Sequence, residues 1–114
     1  MSVTLSTRQV GDVTVIDANG RITLGEGSTA FREKIRELAA GGSKRVLLNL
    51  ADVTYIDSSG IGELVSGFTT VTNQGGSFKL LNLTKRVEDL LQITKLYTVF
   101  EVFDDEAAAI RSFN

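Results

Sequence analysis

The residues best equipped for chemistry lie in one short run, Tyr55-Ile56-Asp57-Ser58-Ser59-Gly60-Ile61-Gly62. Asp57, Ser58 and Ser59 are residue types that accept hydrogen bonds from the free N–H groups of a first helical turn. Hydroxyls exposed at such a point also face the positive end of the helix dipole. A phosphoryl group added there is tolerated, because the N–H groups and the dipole both favour an anion. The same D-S-S-G sequence serves equally well as a helix cap and nothing more. The glycines weigh against a mere cap. Gly60 and Gly62 are weak helix formers that let other backbone approach closely, and a cap needs neither.

What the chain lacks narrows the chemistry further. It has no cysteine, which removes disulfides, thiolate nucleophiles and thiolate metal sites. It has no histidine, which removes the commonest general base near neutral pH and excludes a Ser-His-Asp triad within the chain. No cofactor or metal is expected. Asp104-Asp105-Glu106 imitates a metal-binding acid cluster, but at a helix start it is better read as complementing the dipole. Gly60-Ile61-Gly62 is no phosphate cradle, since no lysine follows at the required spacing. A net charge of -2 gives no electrostatic case for nucleic acid. No stretch approaches the roughly 20 apolar residues that span a bilayer. The start, Met1-Ser2-Val3-Thr4-Leu5-Ser6, is unlike a signal peptide, so the expected location is the cytoplasm.

The elements that must position the run follow from periodicity. The 114 residues, 1–114, fit one domain. Val3 to Thr7 alternates apolar and polar, and Gly11-Asp12 turns the chain into Val13 to Asp17, which predicts a hairpin. Asn19 to Gly27 holds three glycines and reads as a loop, with Ser28 or Thr29 capping a helix that carries Phe31, Ile35, Leu38 and Ala39. Gly41-Gly42 stops it. Val46-Leu47-Leu48-Asn49-Leu50 is nearly continuous apolar sequence, as a strand covered on both faces requires. Ile61, Leu64, Val65, Phe68 and Val71 mark the next helix, ending near Gly75-Gly76. Phe78 to Leu81 is a strand, and Val87, Leu90 and Leu91 mark a short helix opened by Thr84. Lys85-Arg86 on that helix reads as a solvated face. Val99 to Phe103 is a last strand before a C-terminal helix.

The order is therefore β-β-α-β-α-β-α-β-α. Such alternation predicts an α/β layer fold with a mixed, mostly parallel central sheet. The Asp57-Ser58 run then sits at the carboxyl end of the buried strand, where function collects in open α/β sheets.

These features together resemble the STAS domain family, in particular the bacterial anti-sigma factor antagonists. The resemblance covers nearly the whole chain: the opening hairpin, Leu48-Asn49-Leu50, Asp52-Val53, Tyr55-Ile56 and Asp57-Ser58-Ser59-Gly60-Ile61-Gly62. It continues through Gly75-Gly76 and Leu90-Leu91-Gln92-Ile93-Thr94-Lys95-Leu96. It implies a partner-switching protein and not an enzyme. In that family the unmodified antagonist binds an anti-sigma factor that is also a serine kinase, and so frees a sigma factor. Phosphorylation, here on Ser58, releases the partner, and a serine phosphatase resets the cycle. Asp57 shapes the loop, while Ser59, Gly60, Ile61 and Gly62 are implied to belong to the docking surface. The free chain is expected to be a monomer.

The chain departs from the family pattern at Gly20-Arg21-Ile22-Thr23-Leu24, where many antagonists carry an acidic residue near Thr23. Thr23 is either a polar contact to the partner, a second phosphoacceptor, or an ordinary solvated loop threonine. Three other functions remain open on the residues alone: a STAS module serving another signalling or scaffold assembly, a receiver-like phosphoacceptor domain, and a small hydrolase using Ser58. The hydrolase lacks both histidine and the G-x-S-x-G elbow.

Overall fold

Alternating side chains build two cores on one sheet, because successive residues of a strand point to opposite faces. The computed structural model describes residues 3–113. Strands β1 (Val3–Val10) and β2 (Val13–Ile22) form an antiparallel hairpin. Strand β3 (Arg45–Ile56) pairs parallel with β2, and β4 (Ser77–Leu81) parallel with β3. The short β5 (Val102–Phe103) adds parallel to β4, giving the order β1-β2-β3-β4-β5. The helices are α1 (Glu26–Ala40), α2 (Ser58–Asn73), α3 (Lys85–Ile93) and α4 (Glu106–Arg111). The element order and the mixed, mostly parallel sheet are those read from the sequence.

On one face, Ile16 and Ala18 of β2, Val46, Leu48 and Leu50 of β3, and Phe78 and Leu80 of β4 form the larger core. Phe31 and Ile35 of α1, Ile61, Leu64 and Val71 of α2, and Val87 and Leu91 of α3 close it. On the other face, Val13, Val15, Leu47 and Leu81 meet Ala109 and Phe113 in a smaller cluster. β3 supplies both cores, which explains its nearly unbroken apolar sequence.

Six residues make too short a helix to persist alone, so α4 depends on tertiary ties. Asp105 caps it, accepting from the Ala108 N–H at 2.9 Å. The buried Lys79 ammonium donates to the Ser112 carbonyl and hydroxyl, both at 3.0 Å, at its far end. Arg8 of β1 forks to Glu106 at 2.7 and 2.9 Å and to Asp17 at 2.6 and 3.2 Å.

Three boundaries differ from the sequence reading. Asn19 to Gly27 is not one loop. β2 continues to Ile22 because β3 is twelve residues long and its upper half pairs with Asn19, Gly20, Arg21 and Ile22, with irregular register on either side of Asn19-Gly20. α1 then begins at Glu26, and neither Ser28 nor Thr29 caps it. Gly25 at φ 96° takes that position with no side-chain cap, and its carbonyl accepts from the Thr29 N–H. The expected last strand shrinks to two residues because Phe100 turns into the core, against Phe68 and Phe78 at 5.6 and 6.3 Å between ring centres. Thr84 caps α3 as expected, accepting from Val87.

Candidate functional site

Asp57 ties together the rim of the domain formed by the β2–α1 loop and the start of α2. It sits between β3 and α2 in extended conformation and caps the helix, its Oδ1 accepting from the Gly60 N–H at 2.9 Å. Its Oδ2 accepts from the Leu24 N–H at 3.0 Å. One carboxylate therefore fastens the β2–α1 loop to the start of α2. Burial pushes its pKa upward, but hydrogen bonds from the Gly60, Leu24, Ser59 and Asp57 amides outweigh this and hold it below the ordinary aspartate value. Asp57 is a carboxylate at neutral pH.

Ser58 follows as the first residue of α2 and is exposed. Its hydroxyl makes no hydrogen bond to the described residues, nor does that of the half-buried Ser59. Of three candidate caps in the sequence, Asp57 alone does the capping, which leaves Ser58 Oγ unengaged at the positive end of a sixteen-residue helix.

The two glycines separate. A Cβ on Gly60 would lie 2.2 Å from the Ile22 carbonyl oxygen and 2.6 Å from Ile56 Cγ1. Gly60 is the reason α2 can start tight against the ends of β2 and β3. A Cβ on Gly62 would meet nothing within 4 Å. The fold itself does not require Gly62, which leaves a flat exposed spot one helical turn from Ser58.

Gly60 and Ile61, read from the resemblance as part of a docking surface, are buried in the free chain, Ile61 at 2% exposure. They set the helix from within because the first turn of α2 lies on the core. The outward residues of the rim are Ser58, Gly62 and, in part, Asp57, Ser59 and Thr23. The Thr23 carbonyl accepts from the Ser28 N–H at 2.9 Å, which fixes the loop's path. Beside it Leu24 stands 77% exposed, a feature the loop reading of the sequence did not single out.

Arg86 is the second residue missed by sequence reasoning. It is not merely solvated: its Nε donates to the Ile56 carbonyl at 3.1 Å and its Nη2 to the Tyr55 hydroxyl at 2.9 Å. Only the Tyr55-Ile56 strand end, with Tyr55 half-buried just before the Asp57-Ser58 run, hinted at it. Among the described residues no three His, Cys, Asp or Glu side chains cluster as metal ligands, and no helix is long and apolar enough to cross a membrane.

The STAS domain model matches residues 4–109, and the chain belongs to the STAS domain family. It is 42% identical over 72 residues to the anti-sigma-B factor antagonist of Bacillus subtilis, an alignment covering 63% of this chain and 65% of that protein. The crystal structure of an anti-sigma factor antagonist from Mycobacterium paratuberculosis superposes with a TM-score of 0.88 at 17% identity, covering 98% of this chain and 94% of that one. The phosphorylated form of the Bacillus cell fate determinant SpoIIAA superposes at 0.74 with 21% identity, covering 96% and 99%. The last two establish likeness of fold.

Proposed function

We propose that this chain is an anti-sigma factor antagonist that works by partner switching. Unmodified, it binds an anti-sigma factor that is also a serine kinase, and so frees a sigma factor for transcription. Phosphorylation of Ser58 releases the partner, and a serine phosphatase restores the binding form. The chain acts as a binding module in the cytoplasm and catalyses nothing itself. Asp57, Ser59, Gly62 and Thr23 form the docking rim, with Gly60 and Ile61 holding its shape.

The observation that carries this reading is the free, exposed Ser58 hydroxyl beside an ionised Asp57 that already satisfies the helix cap. Phosphorylation adds a charge of about -1.5 to -2. Free in water, that charge is tolerated at the helix N-terminus. Enclosed in an interface it meets the like charge of Asp57 and loses its hydration. A cost of about 3 kcal/mol weakens binding roughly a hundredfold, at about 1.4 kcal/mol per tenfold. No refolding of the antagonist is required.

A paired capture from lysate of the native host tests this, with wild type and Ser58→Asp as baits. Wild type is expected to retain a kinase-like anti-sigma factor that Ser58→Asp loses. Equal capture of the same proteins by both baits would remove Ser58 from the switch.

A further inference from the structure

Two arginines approach one tyrosine at the rim, and neither has an acidic partner among the described residues. Arg21 of β2 stands opposite Tyr55 of β3 in the parallel register, and its guanidinium carbon lies 4.8 Å from the centre of the Tyr55 ring. Arg86, near the start of α3, places its own guanidinium carbon 4.4 Å from the same centre. Both distances are within cation–π range. Arg8, Arg32 and Arg45 each pair with a carboxylate, whereas Arg21, Arg36, Arg86 and Arg111 form no ion pair among the described residues, and of these only Arg21 and Arg86 gather at one ring.

Within the fold each arginine gains a cation–π contact and Arg86 gains two hydrogen bonds, but the two like charges repel each other. An arriving anion relieves that repulsion. The hydrogen bonds of Arg86 to Ile56 and Tyr55 use its Nε and Nη2 and leave Nη1 free. Arg21 makes no side-chain hydrogen bond to the described residues, so its whole fork is available. Such a fork suits a carboxylate, which it grips with two parallel bonds. Both arginines are exposed, and Arg86 is anchored to the residue directly before Asp57-Ser58.

We infer that Arg21, Tyr55 and Arg86 form a docking site for an acidic, Asp/Glu-bearing segment of the protein partner, next to Ser58. The inference deepens the partner-switching reading and rests on that rim being the partner's contact. The arginines supply complementary charge, which speeds encounter and fixes orientation. Tyr55 offers both guanidiniums one ring within cation–π distance.

The test is an NMR titration of the isotopically labelled chain with a hexaglutamate peptide, using hexaglutamine and inorganic phosphate as controls. Hexaglutamate is expected to shift the Arg21, Tyr55 and Arg86 resonances saturably, with an effect that fades at high salt. Arg21→Gln removes no hydrogen bond from the fold and is expected to weaken this binding by about two- to fivefold, the worth of an exposed ion pair. Arg86→Lys keeps the charge but loses the two hydrogen bonds that anchor the guanidinium to Ile56 and Tyr55, and is expected to weaken it as well. Equal response to hexaglutamate and hexaglutamine, or undiminished binding by Arg21→Gln, would overturn the inference. Phosphate moving the same resonances as strongly as hexaglutamate would also overturn it, in favour of a phosphoryl site. The titration reads the arginine site whatever Ser58→Asp does to partner capture, so the two readings fail separately.

Discussion

The two rim glycines invite opposite outcomes from one substitution. In Gly60→Ala the new methyl carbon falls 2.2 Å from the Ile22 carbonyl oxygen and 2.6 Å from Ile56 Cγ1, where ordinary contact begins near 3.4 Å. The helix must retreat by more than 1 Å. Neither obstacle yields easily, since Ile22 is backbone paired with Ile56 and the Ile56 side chain is fully buried. Overpacking of this kind costs about 3 kcal/mol, against a helix-propensity gain of about 1 kcal/mol for replacing glycine. The net loss of about 2 kcal/mol lowers Tm by roughly 8 to 12 °C in a domain of this size. Gly62→Ala meets nothing, so the propensity gain of about 1 kcal/mol stands alone and Tm rises by roughly 4 °C. Thermal melts followed by circular dichroism read both changes. In the proposed function Gly62→Ala also weakens partner capture, because the added methyl stands on the docking rim. A Gly60→Ala melt within about 2 °C of wild type, or a Gly62→Ala melt below it, would refute the close-packing argument.

Two further outcomes follow from the carboxylates. Asp57→Ala removes the acceptor of both Gly60 and Leu24 and is expected to cost about 1 to 2 kcal/mol, with hydrogen exchange at Leu24 accelerated; unchanged protection of Leu24 contradicts the tie. The fold is expected to weaken in acid. Arg8 holds the carboxyls of Asp17 and Glu106 below their ordinary values, and amide hydrogen bonds hold Asp57 low. A depressed folded-state pKa gives stability that is full above the unfolded values near 3.8 and 4.5 and fades as pH falls through the folded ones. Urea midpoints measured downward from pH 6 are therefore expected to hold until about pH 5 and then drop, with Arg8→Gln flattening the slope; a midpoint that rises below pH 4 contradicts the assignment.

Much of the fold was legible because periodicity is a strong signal where one face is buried. Ile61, Leu64 and Val71 marked α2 and Val46 to Leu50 marked β3, and these residues do form the core. The β2 end was not legible. Asn19 and Gly20 are poor strand residues, and only the length of β3, a non-local fact, holds them in the sheet. Phe100 was misread for a similar reason, since its pull toward Phe68 comes from a helix some thirty residues away.

At the rim, residue types suggested chemistry without saying which residue did what. Three acceptors stood in line, and the geometry gives the cap to Asp57 and leaves Ser58 unengaged. Two glycines looked alike, and the backbone of Ile22 distinguishes them. Arg86 looked like a solvated helix charge because its partners, Ile56 and Tyr55, lie thirty residues earlier in the chain.

The central claim is that a phosphoryl group on Ser58 ends partner binding. The most direct measurement incubates the chain with the anti-sigma factor captured from the host, in the presence of ATP and magnesium. The modified residue is mapped by mass spectrometry, and affinity is compared before and after by calorimetry. The account predicts one phosphoryl group, on Ser58, and binding weakened about a hundredfold. Phosphate found elsewhere, or a Ser58-phosphorylated chain that binds as tightly as the unmodified one, would contradict it.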